Sequence, residues 1–252
     1  MPDKNIISEN VKTAYSSFYE KDDKGWRLLG AKYKAQRIIE VSKGHTFNNV
    51  LEVGAGDGSI LKLLSESNFA REYSAVEISE SGVGRIKALQ ISNLKSIQVF
   101  DGYHLPFGDD EFDLVILSHV LEHVEHERIL LRELRRVAKM CLIEVPKDYR
   151  YGVDKRIKHF LAYGHINMYT PTSLRYLLLT EGFTIAKDLP SMITPDVSRF
   201  YKKKSLFAGL KISAEYAIKQ LLCAIGGKKT TERFANSYTV LCGKQAEAPK
   251  LF

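Results

Sequence analysis

Ten residues constrain this chain more than any others: Val50 to Ser59, VLEVGAGDGS. A short apolar run stops in a turn with glycines at 54, 56 and 58, and a helix is expected to open at Ser59. A residue without Cβ lets the backbone turn sharply and lets a ligand touch it. Glu52 stands just before the turn. Glu77 closes the next apolar run, and Asp101 follows the one after that. Three carboxylates at the ends of three successive strands line one edge of a parallel sheet, where open α/β sheets bind their ligands.

The spacing argues about which ligand. A plain dinucleotide site wants G-x-G-x-x-G, and here the third glycine, Gly58, comes one residue early. Glu52 ahead of the turn would repel a pyrophosphate and suits an ammonium group. Glu77 would take ribose hydroxyls, as acidic residues do in nucleotide sites. Asp101, or the backbone beside it, would take an adenine amine. A ligand with an amino acid, a ribose and an adenine but no phosphate is S-adenosylmethionine.

Three segments, VLEVGAGDGS, YSAVEIS and VFDGYHLPFGDDEFDLVILSHVLEHV, resemble the class I S-adenosylmethionine-dependent methyltransferases of the type 11-like kind. The likeness is to the small-molecule branch that includes ubiquinone/menaquinone and sugar methyltransferases, and it covers residues 50–183. It implies a cofactor loop of Glu52, Gly54, Ala55, Gly56 and Asp57. It also implies ribose and adenine contacts at Glu77 and Ile78, and an adenine-amine site at Asp101 and Gly102. Ser118 and His119 match the strand end beneath the methionine part, and Tyr15 resembles a tyrosine that closes over the cofactor.

Strands are expected at 49–53, 73–78, 96–100, 112–118, 140–145, from 183, and at 237–243, with helices between them. That alternation implies an α/β fold with a parallel, doubly wound sheet. The resemblance adds a Rossmann-like, seven-stranded sheet whose last strand is antiparallel. The expected layout is a single domain: a helical cap over 1–46, a core over 47–191, a basic helical insertion over 192–235, the last strand in 236–244 and a tail. The cap is expected to hold two helices within 6–44. A helix over 127–138 should bury Ile129, Leu130, Leu134 and Val137, and another should open at the cap Thr170-Pro171 and stop at Gly182.

The net charge of +7 is concentrated: residues 147–169 carry +3 and residues 192–235 carry +6, leaving −2 for the rest. With the last strand antiparallel, both segments emerge over the carboxyl edge of the sheet. This basic mouth points to an anionic acceptor. Within 205–225 an amphipathic helix gathers Phe207, Leu210, Ala214, Ala217, Ile218, Leu221 and Ile225 on one face. That face either packs on the body as a lid or contacts a membrane surface or apolar substrate, so peripheral membrane contact through 199–225 stays open. No run of eighteen apolar residues occurs, the N-terminus lacks an apolar signal region, and the three cysteines show no CxxC spacing. The expected compartment is the cytoplasm, with reduced thiols.

Seven histidines supply candidate bases. His123 and His165 are expected to be catalytic, because both follow strands at the mouth; His45, His104 and His126 are expected at the surface. His119 to His123 also matches the metalloprotease pattern H-x-x-E-H. That pattern needs both imidazoles on one established helix, so no metal is expected. The reading is O-methylation of a small or carrier-linked acceptor, a sugar, glycan or lipid-linked intermediate. RNA methylation is weighed against it by the want of an RNA-binding module, and cofactor binding without transfer is the remaining alternative.

Overall fold

The computed structural model describes residues 24–150, 152–200 and 206–246. Tyr15, the first of the two expected cap helices and Lys202 to Lys204 lie outside the described residues. The chain enters on helix α1 (Lys24–Val41) and then alternates: β1 (Phe47–Val53), α2 (Ser59–Glu66), β2 (Ala70–Glu77), α3 (Glu80–Ala88), β3 (Leu94–Val99) and β4 (Phe112–Ser118). There follow α4 (Glu127–Val137), β5 (Ala138–Pro146), α5 (Ile157–Ala162), α6 (Pro171–Thr180) and β6 (Phe183–Ser191). Helices α7 (Pro195–Phe200) and α8 (Leu206–Phe234) and strand β7 (Ser237–Lys244) complete the described fold.

One seven-stranded sheet runs in the order β3-β2-β1-β4-β5-β7-β6. The first five strands are parallel, and β7 is antiparallel to both its neighbours, β5 and β6. The central strands are buried along nearly their whole length, as expected for a parallel sheet covered on both faces. One apolar layer gathers Leu51, Val115, Leu134 and Phe183, and the other gathers Val50, Ile38, Leu61 and Leu142. The strand order reverses between β1 and β4, which puts a crevice at their carboxyl ends.

Local chemistry sets the helix ends. Ser79 caps α3 by accepting the Gly82 N–H, and Thr170 caps α6 in a reciprocal box with Ser173. Gly182, just past α6, has φ of +80°. In α4 the buried residues are Leu130, Leu131, Leu134 and Val137. Ile129 is instead exposed, because the adjacent Leu130 and Leu131 already fill the inward face.

The two basic segments meet. Lys147, first after β5, donates its Nζ to the carbonyls of Glu232 and Arg233, at 2.7 Å each, at the end of α8. Helix α8 bends at Gly227, whose φ of 65° and ψ of −157° break the helical run. Its packing corrects the lid reading. The inward residues are Ile212 and Cys223, both buried, while Phe207, Leu210, Ile218, Leu221 and Ile225 are exposed. Periodicity shows that a helix has an apolar face; it does not show which way that face turns.

Candidate active site

The glycine turn is stitched onto the end of β2. Gly54 and Ala55 donate their N–H groups to the Val76 carbonyl at 2.9 and 3.2 Å. Gly56 donates to Glu77 Oε2 at 2.9 Å, and the other Glu77 oxygen accepts from the Ser79 backbone and hydroxyl. Glu77 therefore shapes the turn it was expected to serve. Burial raises its carboxyl above the ordinary value, against the lowering effect of those N–H groups. Gly82 explains why α3 can come so close: a Cβ there would lie 2.7 Å from Glu77 Cγ and 2.8 Å from the Gly56 carbonyl.

Gly54 has φ of +69°, and a Cβ on it would lie 2.5 Å from Val120 Cγ2. Val120 is thus the immediate obstacle to a side chain at position 54. Asp57 accepts from the Ser59 N–H and pairs with Arg27 at 3.3 Å. Glu52 is buried, and its Oε2 has no hydrogen-bond partner. Burial pushes its carboxyl up to about 8, with the Lys34 ammonium pulling the other way. Ile78 is half-buried against the core.

Asp101 is exposed, and its Oδ1 accepts the N–H groups of Tyr103 and His104, at 2.8 and 2.7 Å. Its Oδ2 meets the His104 ring at 2.8 Å. Gly102 beside it has φ of +92°. The carboxylate braces the loop after β3, which leaves the neighbouring backbone as a route to an adenine amine.

At the end of β4, Ser118 donates to Glu144 Oε2 at 2.9 Å. His119 has φ of +56°, a left-handed conformation uncommon outside glycine but one that histidine adopts more readily than most side chains. Its Nδ1 lies 3.3 Å from Glu122 and its Nε2 3.7 Å from Glu144. Glu144 is fully buried beside Arg37 of α1. Burial favours its neutral form, but Arg37, His119 and Lys34 outweigh that and hold the carboxyl down to about 2.

The second constellation faces the mouth. Leu121 to His123 form a short 3-10 turn, so His119 and His123 do not share a helix. His165 Nδ1 meets Asp148 Oδ2 at 2.5 Å, and His123 Nδ1 meets the Gly164 carbonyl at 3.0 Å. A carboxylate and a carbonyl both accept, so each Nδ1 donates; His123 Nε2 lies 3.9 Å from Glu122 Oε1. The two imidazoles stand edge to face with centroids 4.9 Å apart. Glu122 lies beneath them, almost wholly buried, and its backbone carbonyl accepts from Ile166 and Asn167. Donor atoms of Glu122, His123 and His165 fall within 4.8 Å of one another. Burial lowers the His123 pKa, although Glu122 pulls it up.

Residues 26–187 match the family described as Methyltransferase domain. The chain belongs to the class I S-adenosylmethionine-dependent methyltransferases. YrhH of Bacillus subtilis, itself named as a methyltransferase, is 27% identical over 122 residues, 46% of this chain and 68% of that protein. The ubiquinone/menaquinone biosynthesis C-methyltransferase UbiE of Cupriavidus pinatubonensis is 31% identical over 102 residues, 39% of this chain and 41% of UbiE. An S-adenosylmethionine-dependent methyltransferase from Archaeoglobus fulgidus shares the fold, with a TM-score of 0.60 at 20% identity over 90% of this chain and all of that one.

The site suits the family's cofactor. The orphaned oxygen of buried Glu52 wants a cation, and the turn that Glu77 and Gly82 hold open is built of backbone rather than side chains. His45, His104 and His126 are exposed, as expected. Asp148, Glu144, Arg37 and Gly82 were not singled out from the sequence. Glu144 was legible as an oddity, a carboxylate inside the apolar run of β5; Asp148 carried no signal, because its partner lies 17 residues away.

Proposed function

We propose that this methyltransferase acts on an oxygen of an anionic acceptor, a sugar, glycan or lipid-linked intermediate, and that His165 removes the acceptor's proton. The observation that carries this reading is the Asp148–His165 contact at 2.5 Å. A carboxylate on Nδ1 fixes the tautomer, leaves Nε2 to act as the base and stabilises the imidazolium formed when the proton arrives. S-adenosylmethionine, when bound by Glu52, Glu77 and the glycine turn, supplies a methyl group already activated by sulfonium. The protein's remaining work is alignment and proton removal.

Anion preference is supported by Arg150 and Arg156. Burial and the neighbouring Arg156 both lower the Arg150 pKa, while Asp148 raises it. An anion reaching Arg150 and Arg156 would gain charge-assisted hydrogen bonds from them. Arg156 also lies over the Phe160 ring, which stacks on His165, so this guanidinium borders the base. A cleft of about 620 Å³ between α1, the end of β6 and α8 offers room for a carrier; Arg37, Leu189, Met192 and Cys223 are among its walls.

Incubation with methyl-labelled S-adenosylmethionine and fractionated cell extract identifies the acceptor, and mass spectrometry of the labelled product locates the methyl group. On that acceptor, His165→Ala should lower kcat by roughly 10²–10⁴-fold, abolish the acidic limb of the pH–rate profile and leave S-adenosylhomocysteine affinity unchanged. His126→Ala is the matched control and should behave as wild type. Label on carbon, as the name of the UbiE relatives would suggest, or a His165→Ala enzyme with wild-type turnover, contradicts the proposal.

A further inference from the structure

Helix α8 turns its apolar face away from the body. Phe207 is 82% exposed, Leu221 61% and Ile225 78%. Leu210, Ala214, Ala217 and Ile218 fill the intervals between them and are exposed too. The residues recur at helical spacing, so they form one continuous stripe about 27 Å long, at a rise of ~1.5 Å per residue. Single exposed apolar side chains are ordinary on a protein surface; a contiguous stripe is not, and marks a surface that something covers. Among the described residues nothing covers it, because the opposite face, with Ile212 and Cys223, is the one buried.

Charge selects the occupant. Lys211 and Lys219 are exposed beside the stripe, with one acidic neighbour, Glu215. Lys228 and Lys229 follow the bend, the former paired with Asp188, and Lys202, Lys203 and Lys204 precede the helix in the sequence. Residues 192–235 as a whole carry +6. A second copy of the chain would bring two such segments together and be repelled. A surface that is apolar beneath and negatively charged above meets both demands. We propose that α8 lies in the interfacial layer of an anionic lipid membrane, with the stripe from Phe207 to Ile225 immersed and the lysines at the headgroups. No helix among the described residues is long and apolar enough to cross a membrane, so α8 binds along the surface. Docking and cofactor binding fail separately: the first depends on α8, the second on the sheet edge.

The test is cosedimentation of the full chain with vesicles of phosphatidylcholine alone and of phosphatidylcholine mixed with phosphatidylglycerol. The protein should pellet with the mixed vesicles, pellet poorly with the neutral ones, and be released by salt as exposed charges are screened. The double variant Leu221→Asp, Ile225→Asp should lower the partition coefficient by at least about tenfold, since apolar area sets the binding strength. Both sites are exposed, so its melting temperature and its affinity for S-adenosylhomocysteine should match wild type. Lys211→Glu with Lys219→Glu should weaken binding to the mixed vesicles alone. Wild-type protein that stays in the supernatant with anionic vesicles at low salt overturns the proposal. So does a double variant that binds as wild type. Sedimentation velocity showing a wild-type dimer that the double variant dissolves, without vesicle binding, would assign the stripe to a second copy instead.

Discussion

Glu52 carries a charge problem that a cofactor's ammonium group would solve. Its buried carboxyl is pushed up to about 8 from 4.5, so near pH 6 the folded chain holds a proton that an unfolded chain has lost. A group whose value is raised by folding makes stability fall as pH climbs through the window between those two values. An ammonium placed against the orphaned oxygen favours the ionised form and expels that proton. S-adenosylhomocysteine binding near pH 6 should therefore release a proton, seen as a dependence of the calorimetric heat on buffer ionisation enthalpy. Glu52→Gln should remove both the release and the stability slope; a variant that keeps them shows that another group titrates. At Gly54 the constraint is conformational. Gly54→Ala should cost about 1–3 kcal/mol from the left-handed backbone alone, beyond the contact with Val120. Val120→Ala added to it should recover the contact and not the backbone term, which chemical denaturation of the single and double variants would separate. These residues were legible because glycines and carboxylates at strand ends are visible in one dimension. The Asp148–His165 pair was only half visible, since a partner on another segment leaves no local pattern.

At the scale of elements, α1 is fastened to the sheet by Arg37 and Glu144. The Glu144 side chain is wholly buried, and its carboxyl is held down to about 2. Because folding lowers that value, the pair's contribution is present above the ordinary carboxylate range and fades as pH falls toward 2. Arg37→Met leaves the charge without its main partner and should cost roughly 3–5 kcal/mol, read as a lower denaturation midpoint at neutral pH. A loss below 1 kcal/mol, the worth of an exposed pair, would show that the contact is solvated. The proposed preference of the mouth for anions belongs to this scale as well. Arg150→Met or Arg156→Met should raise the acceptor KM with little change in cofactor affinity, and the difference from wild type should shrink at high salt. Equal KM values would leave the two guanidinium groups without a role in binding. Element positions were legible: β4 spans 112–118 and α6 opens at Pro171, as expected. The burial of Ile129 and the orientation of α8 were not, because amphipathic spacing shows a face without showing what stands opposite.

At the scale of the whole molecule, topology turns a one-dimensional list of carboxylates into a site. The parallel run β3-β2-β1-β4 sets Glu77, Glu52 and Ser118 along one edge, and the antiparallel β7 returns the second basic segment to that same edge. The fold was legible because each strand is an apolar run ended by a charged or glycine-rich turn. The acceptor was not, because the two insertions proposed to meet it are in sequence only basic and amphipathic. The central claim, that this edge holds S-adenosylmethionine through Glu52 and Glu77, is tested most directly by titration calorimetry with S-adenosylhomocysteine. The expected result is micromolar-range binding to wild type, no comparable binding of NAD, and a loss of roughly 1–3 kcal/mol in Glu77→Ala, the worth of a charge-assisted hydrogen bond. Undiminished affinity in both Glu77→Ala and Glu52→Gln would contradict it and place the cofactor elsewhere on the molecule.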